Sequence, residues 1–356
     1  MNMRAFVLAA GLGIRMGPLG EEIPKALLPL GGVSMVKFAL SRLAGVGVSE
    51  AVVNIHHRAD AIREHLGDSF QGIALHYSHE VEILGTAGGL KKAEEFLREG
   101  GGPFFVLNAD IVSNADLEAA MRHHQSGRFL ATLILRETKE VEKFGALAVD
   151  AAGRLRKFLG ASAPGEAAGN LTEAMFTGQS VLSPEFLDNI PAGRSCGISE
   201  EVYPPLMESG ALIGGCLTTA YWADVGTPAR YLEAVFDLLA GRFMPALEWP
   251  EGDNTLIEGA PLEWGGGMIH PPVLIGKGVR LERGATAGPF AVLGSGATLE
   301  EDATVSHTVV FPGGKIGKGI SLERCIVGPG AYVVLPEGEK CHESVFVSGN
   351  SGSHPF

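Results

Sequence analysis

The sequence predicts an α/β domain built on a Rossmann-like, mostly parallel sheet, followed by a short parallel β-helix. Three observations predict this. From the start to about residue 240, short β-rich runs alternate with helical patterns. Beyond residue 270 an aliphatic, small or aromatic residue recurs every sixth position. The chain has 356 residues, 46% of them apolar and 19% charged, enough to bury two cores.

The candidate strands of the first region are Ala5–Leu8, Ala51–Ile55, Ile73–Tyr77, Phe104–Leu107 and Phe129–Leu135. Between them Ser34–Ala44, Ala59–Leu66, Ala87–Leu97 and Leu117–Gln125 space their apolar residues as helices do. Such alternation implies a sheet covered on both faces, with ligands held beyond the C-terminal strand ends. Residues 146–182 read as shorter strands around a glycine- and alanine-rich loop, Gly160–Gly169, an antiparallel excursion over the sheet. Pro228–Leu239 reads as the last helix. The expected division is a first domain over 1–242, a linker over 243–270, a coil over 271–337 and a loose tail over 338–356.

The coil rests on Ile275, Leu281, Ala287, Leu293, Leu299, Val305 and Phe311, spaced by six, with Gly276, Gly288 and Gly294 following three of them. A period of six is the signature of hexapeptide repeats, three of which close one triangular turn. A disordered glycine-rich tail would not carry so much Val, Ile and Leu.

The net charge of −13 argues against a nucleic-acid binder, which needs a basic face, but leaves a phosphorylated small molecule open. No apolar run reaches the roughly 18–20 residues that span a membrane, and the N-terminus does not read as a secretory signal. Cys196, Cys216, Cys325 and Cys341 stand far apart, without a Cys-x-x-Cys pair. That spacing suits a reducing cytoplasm.

The most informative segment is Leu8-Ala-Ala-Gly-Leu-Gly-Ile-Arg15-Met-Gly-Pro, followed by Pro24-Lys25-Ala-Leu-Leu-Pro-Leu. A strand feeding Gly11 and Gly13, with Arg15 and Lys25 near by, can grip a polyphosphate. Position 16 is Met, so a dinucleotide fingerprint is not completed, and no P-loop occurs. His56 and His57 are adjacent; on a strand they would face opposite ways, so a loop or substrate-rim role is expected rather than a shared metal.

This block resembles the opening signature of the sugar-1-phosphate nucleotidyltransferases, the NDP-sugar pyrophosphorylases. Further segments resemble the same family in order: Leu84-Gly-Thr-Ala-Gly88 preceded by Glu82, Phe105-Val-Leu-Asn-Ala-Asp110, Phe176-Thr-Gly178, and Tyr221-Trp-Ala-Asp-Val-Gly-Thr-Pro228. Together they span most of residues 3–240. Members that transfer guanylyl to mannose or heptose 1-phosphate, or uridylyl to N-acetylmuramate 1-phosphate, are the most similar. The resemblance implies a nucleotidyltransferase domain with a left-handed hexapeptide β-helix behind it.

It also implies roles. Leu8, Ala10, Gly11, Gly13, Arg15, Gly85, Thr86 and Ala87 would bind the nucleotide. Asn108, Gly145, Thr177 and Glu82 would meet the sugar. Asp110 and Asp224 would hold Mg²⁺, a hard ion suited to one or two carboxylates plus phosphates and water. Arg15 would neutralise the β- and γ-phosphates and Lys25 the α-phosphate or the sugar phosphate. NTP and a sugar 1-phosphate are the expected partners, with GTP and mannose 1-phosphate or a related hexose or heptose phosphate foremost. A homo-oligomer joined through the coil is expected. Neither nucleic acid nor a membrane is.

The attacking phosphate oxygen is already anionic, so no general base is needed; positioning and charge neutralisation carry the rate. Asp110 alone could instead cap the helix after Ser113. The chain departs from the family where many members carry Glu-Lys-Pro, reading Phe158-Leu-Gly-Ala-Ser162, with Lys157 or Lys25 left to meet the sugar phosphate. Gly20 stands where the family often has Thr. Two other readings compete: a non-catalytic regulatory homologue that binds NDP-sugar, and an acyltransferase coil using His307. Uridylyl or thymidylyl transfer is the alternative within the same chemistry.

Overall fold

The computed structural model describes residues 2–137, 147–243, 254–257, 259, 262–336, 339–349 and 352–356. They form two compact units: one from Met1–Leu12 and Met35–Trp222, the other from Gly13–Ser34 and Ala223–Phe356. This division differs from the expected domains, because residues 13–34 and the helix Pro228–Leu239 belong with the coil.

The first unit is organised by Arg4–Leu8, which pairs in parallel with Glu50–Ile55 on one side and Phe104–Asn108 on the other. Ile73–His79 continues the parallel part beyond Glu50–Ile55. Past Phe104–Asn108 the sheet turns antiparallel through Thr172–Leu182, which also pairs with Ala131–Glu137. The chain therefore leaves Arg4–Leu8 for one neighbour and returns on its other side. That reversal opens a crevice at the C-terminal ends of Arg4–Leu8 and Phe104–Asn108. The antiparallel excursion lies where expected, with Leu147–Val149 between Leu155–Phe158 and Thr172–Leu182. Phe6, Leu90, Leu97, Phe104, Leu133, Phe158, Phe186 and Tyr203 share one buried cluster on the sheet.

Two expected elements shift. The pattern over 87–97 is two helices, Gly85–Lys92 and Glu94–Glu99, because the Ala93 amide bonds back to both Gly89 and Leu90 and closes the first. The strand expected from Phe129 begins at Ala131, since the Phe129 amide is spent on His124 O, ending the preceding helix.

In the second unit parallel ladders stack into three faces, a left-handed β-helix. One face aligns Ile269, Ala287, Val305, Leu322 and Cys341. The next aligns Ile275, Leu293, Val310, Val327 and Phe346, and the third Leu281, Leu299, Ile316 and Val333. Phe311 is thus not the inward residue; Val310 is. The corner before it is one residue shorter than six, turning through His307 at φ 48°. The ladder also runs past residue 337, through Lys340–His342 and Ser344–Phe346, so the expected tail is largely coil. The expected linker contains Asn254–Ile257 and Leu262–Trp264, both antiparallel to coil strands. No helix among the described residues is long and apolar enough to cross a membrane.

Candidate active site

In the first unit the crevice is lined by segments the sequence singled out. Leu8 and Asn108 are register neighbours, and the Ala109 amide donates to Leu8 O at 2.9 Å. Asp110 follows the end of its strand by two residues and is partly exposed. It does not cap the next helix: Asp116 does, accepting the Ala119 amide at 2.8 Å. Gly178, at φ 78°, lies over Asn108; a β-carbon there would stand 3.0 Å from Asn108 Nδ2.

The Gly85-Thr-Ala turn that opens the Gly85–Lys92 helix is clamped by residues 196–198. Cys196 O accepts the amides of Ala87 and Gly88 at 3.0 and 3.2 Å, and Cys196 N donates to Leu84 O at 2.8 Å. Gly85 has φ 71°, and a β-carbon there would lie 2.6 Å from Cys196 O, so only glycine fits. The Thr86 hydroxyl accepts the Ile198 amide. Glu82 is exposed on the preceding turn. Thr177 is fully buried and its hydroxyl donates to Ile134 O at 2.8 Å. Gly145 lies outside the described residues.

The place where Glu-Lys-Pro was sought is a tight hairpin. Leu159 and Gly160 have φ 47° and 90°, as a type I′ turn requires, joining Leu155–Phe158 to Ala161–Ser162. Lys157 pairs across to Ala148 and, with Arg136, Glu173, Thr218 and Thr219, lines a cavity of about 940 Å³.

In the second unit Gly13, at φ 67°, starts a tight turn over Ile14–Met16 that buries Met16 and leaves Arg15 exposed. Lys25 opens a similar turn over Lys25–Leu27. A β-carbon on Gly13 would stand 3.5 Å from Lys25 Cβ, so the two cation-bearing turns are neighbours. Gly20 has a structural reason for not being Thr: a β-carbon there would meet Gly13 O at 2.6 Å. The Arg15 guanidinium lies against Gly226, 3.0 Å from where a β-carbon would be. Asp224, two residues earlier, is paired to Arg230 at 2.5 Å. Thr227 caps Pro228–Leu239 by accepting the Arg230 amide. The opening turn and the Asp224 segment are therefore brought together.

His307 sits at a coil corner, stacked on Phe290 with ring centroids 5.1 Å apart and edge-on to Phe236 at 5.3 Å. Burial pushes its imidazole below the ordinary value. The ring is thus packed between two aromatic side chains.

Sequence reasoning missed Asn54, Glu80 and Arg230, and held Gly226 only as part of the Tyr221–Pro228 segment. The only signal for the first two was a polar residue inside the apolar run Ala51-Val-Val-Asn54-Ile and an acid just past the next strand. His56 joins them through its Nδ1, 2.8 Å from Glu80 O.

The profile described as nucleotidyl transferase matches residues 4–241. The chain is 30% identical over 336 residues to a UTP–glucose-1-phosphate uridylyltransferase of Synechocystis, covering 90% of this chain and 86% of that protein. It is also 30% identical over 323 residues to a mannose-1-phosphate guanylyltransferase of Mycobacterium tuberculosis, covering 90% of this chain and 83% of that one. The crystal structure of HddC from Yersinia pseudotuberculosis has the same fold, with a TM-score of 0.53 over 65% of this chain and 98% of that one at 21% identity. With Leu8–Leu12 and Asp110 at the switch point of such a sheet, the chain belongs to the nucleotidyl transferase family, among the sugar-1-phosphate nucleotidyltransferases.

Proposed function

We propose that this enzyme joins GTP to mannose 1-phosphate, or to a related hexose or heptose 1-phosphate, releasing pyrophosphate. The observation that carries the reading is the register of Leu8 with Asn108, which sets the glycine-rich loop beside the strand leading to Asp110. A sugar-phosphate oxygen attacks the α-phosphorus; the new P–O bond forms as the bond to the β-phosphate oxygen breaks, and pyrophosphate leaves with the electron pair. The incoming oxygen carries its own charge, so the protein's task is to bring two anions together and hold the leaving group. Arg15, exposed on its turn, supplies charge to the β- and γ-phosphates, and Lys25 to the α-phosphate or the sugar phosphate. Lys157 and Arg136, lining one cavity with threonine hydroxyls, are suited to the sugar side in place of Glu-Lys-Pro.

Asp110 and Asp224 are the carboxylates that would hold Mg²⁺. Mg²⁺ is commonly held by one or two carboxylates and completed by phosphates and water. Bound there, the ion would neutralise phosphate charge. Arg230 holds the Asp224 carboxylate in place meanwhile.

The uridylyltransferase relative, as similar over as much of the chain, favours UTP with glucose 1-phosphate as the second reading. A screen of GTP, UTP, dTTP and ATP against hexose and heptose 1-phosphates, read by pyrophosphate release, decides. The fastest turnover is expected with GTP and mannose 1-phosphate. Preference for UTP moves the assignment to the second reading, and no turnover with any pair leaves the non-catalytic homologue.

A further inference from the structure

Two peptide segments expected to grip the nucleotide, Leu8–Leu12 and Leu84–Ala87, come from different parts of the chain. In the first unit they are tied by one buried polar bridge. Asn54 and Glu80 are 2% and 1% exposed. Asn54 Oδ1 accepts the amides of Ala9 and Ala10 at 2.7 and 3.3 Å, the first two peptide groups beyond the Arg4–Leu8 strand. Its Nδ2 donates to Glu80 Oε1 at 2.8 Å. The other carboxylate oxygen, Oε2, accepts the Leu84 amide at 2.9 Å. The backbone of Glu80 is fixed as well, its amide donating to Ile55 O at 2.8 Å while its carbonyl meets His56 Nδ1. Gly89 leaves room for the bridge: a β-carbon there would lie 2.8 Å from Glu80 Oε1 and 3.0 Å from Asn54 Nδ2.

The chemistry of the bridge is directional. Both ends are amide donors, so each terminal atom of the bridge must be an acceptor. Two side chains can meet this only if one carries a donor toward the other and the second offers two acceptors. Asn with a carboxylate does so. A buried amide–carboxylate pair is a costly way to fill space that apolar side chains would fill, and its distinctive return is fixed direction. Here the direction fixed is that of the Ala9, Ala10 and Leu84 amides.

We propose that Asn54 and Glu80 are positioning residues for the nucleotide, locking the Leu8–Leu12 segment and the Leu84–Ala87 start of the Gly85–Lys92 helix in one mutual geometry. The proposal rests on the nucleotidyl-transfer reading. Neither residue is expected to touch the substrate; they act through Ala9, Ala10 and Leu84.

The test uses the polarity itself. Asn54→Asp faces one carboxylate with another, and Glu80→Gln faces one amide donor with another. The double variant N54D/E80Q restores every bond with the central donor reversed. Its carboxylate at position 54 would accept from Ala9, from Ala10 and from the side-chain amide at position 80, whose carbonyl oxygen would accept from Leu84. The four full-length proteins are compared by melting temperature and by KM for each substrate, using the NTP and sugar 1-phosphate that the wild type turns over fastest. Each single variant should raise the NTP KM by about tenfold with the sugar 1-phosphate KM changed by less than about threefold, and the double should return to within about threefold of wild type. Three results overturn the proposal: folded single variants with an unchanged NTP KM, both KM values rising together, or a double variant no better than the worse single. If a single variant does not fold, recovery or failure of the double decides alone. If the wild type turns over no pair, the transfer reading fails separately, and calorimetric titration with GTP and with UTP decides the bridge. Weaker binding in the singles with recovery in the double supports it; equal affinities, or no binding by the wild type, overturn it.

Discussion

Gly226→Ala would push a methyl group into the Arg15 guanidinium. The added carbon would stand 3.0 Å from Nη2, 3.1 Å from Cζ and 3.2 Å from Nη1. Comfortable contact begins near 3.5 Å, so the guanidinium must retreat by about half an ångström. An exposed arginine end moves at little cost, and the fold should lose no more than ~0.5 kcal/mol. Catalysis is less tolerant: a misplacement on the order of 1 Å can cost about a hundredfold. Half of that should lower kcat/KM by about tenfold, ~1.4 kcal/mol of transition-state stabilisation. The assay is pyrophosphate release at varied NTP, beside thermal unfolding of the same sample. An intact melting temperature with kcat/KM within about twofold of wild type would refute a leaving-group role for Arg15 at this geometry.

Three further outcomes follow from the same structure. Asp110→Ala should abolish the EDTA-sensitive part of pyrophosphate release; a rate within a fewfold of wild type removes Asp110 from the metal site. Gly20→Thr, which restores the residue common in the family, should cost ~2 kcal/mol by forcing a β-carbon to 2.6 Å from Gly13 O, and an unchanged melting temperature would show the turn to be yielding. Burial holds the His124 imidazole down to about 4, from an ordinary 6.5, between the Thr132 and Ser183 hydroxyls. The unfolded chain takes up that proton first, so stability should fall by up to ~3 kcal/mol as pH drops from 6.5 through 4. His124→Gln should flatten that slope in denaturant titrations across pH, and an identical slope would assign the loss elsewhere.

What could be read from the sequence was what local chemistry dictates. Pro228–Leu239 was legible because Thr227 caps it and proline fills its first position. The parallel strands were legible as apolar runs, and the coil as a period of six. The slip from Phe311 to Val310 was not, since it depends on how tightly one corner turns through His307. The allegiance of residues 13–34 was equally hidden. It follows from long-range contacts, such as Tyr231 donating its hydroxyl to Pro29 O at 2.7 Å, that no local pattern announces. At the site, Arg15, Lys25, Asp110 and Asp224 were singled out through motif resemblance, and their roles are proposals. Asn54 and Glu80 escaped because a bridge between two segments has no spacing in the chain. The bond of the Thr177 hydroxyl to Ile134 O was equally hidden, since it joins strands 43 residues apart.

Joining two anions at one site requires both of them to be present. That requirement is tested most directly by the initial rate of pyrophosphate release from GTP and Mg²⁺, with and without mannose 1-phosphate. Release that appears only with the sugar phosphate, in step with GDP-sugar formed, is the predicted result. Release that is absent, or that proceeds equally without the sugar phosphate, would rule out transfer between GTP and mannose 1-phosphate by this enzyme.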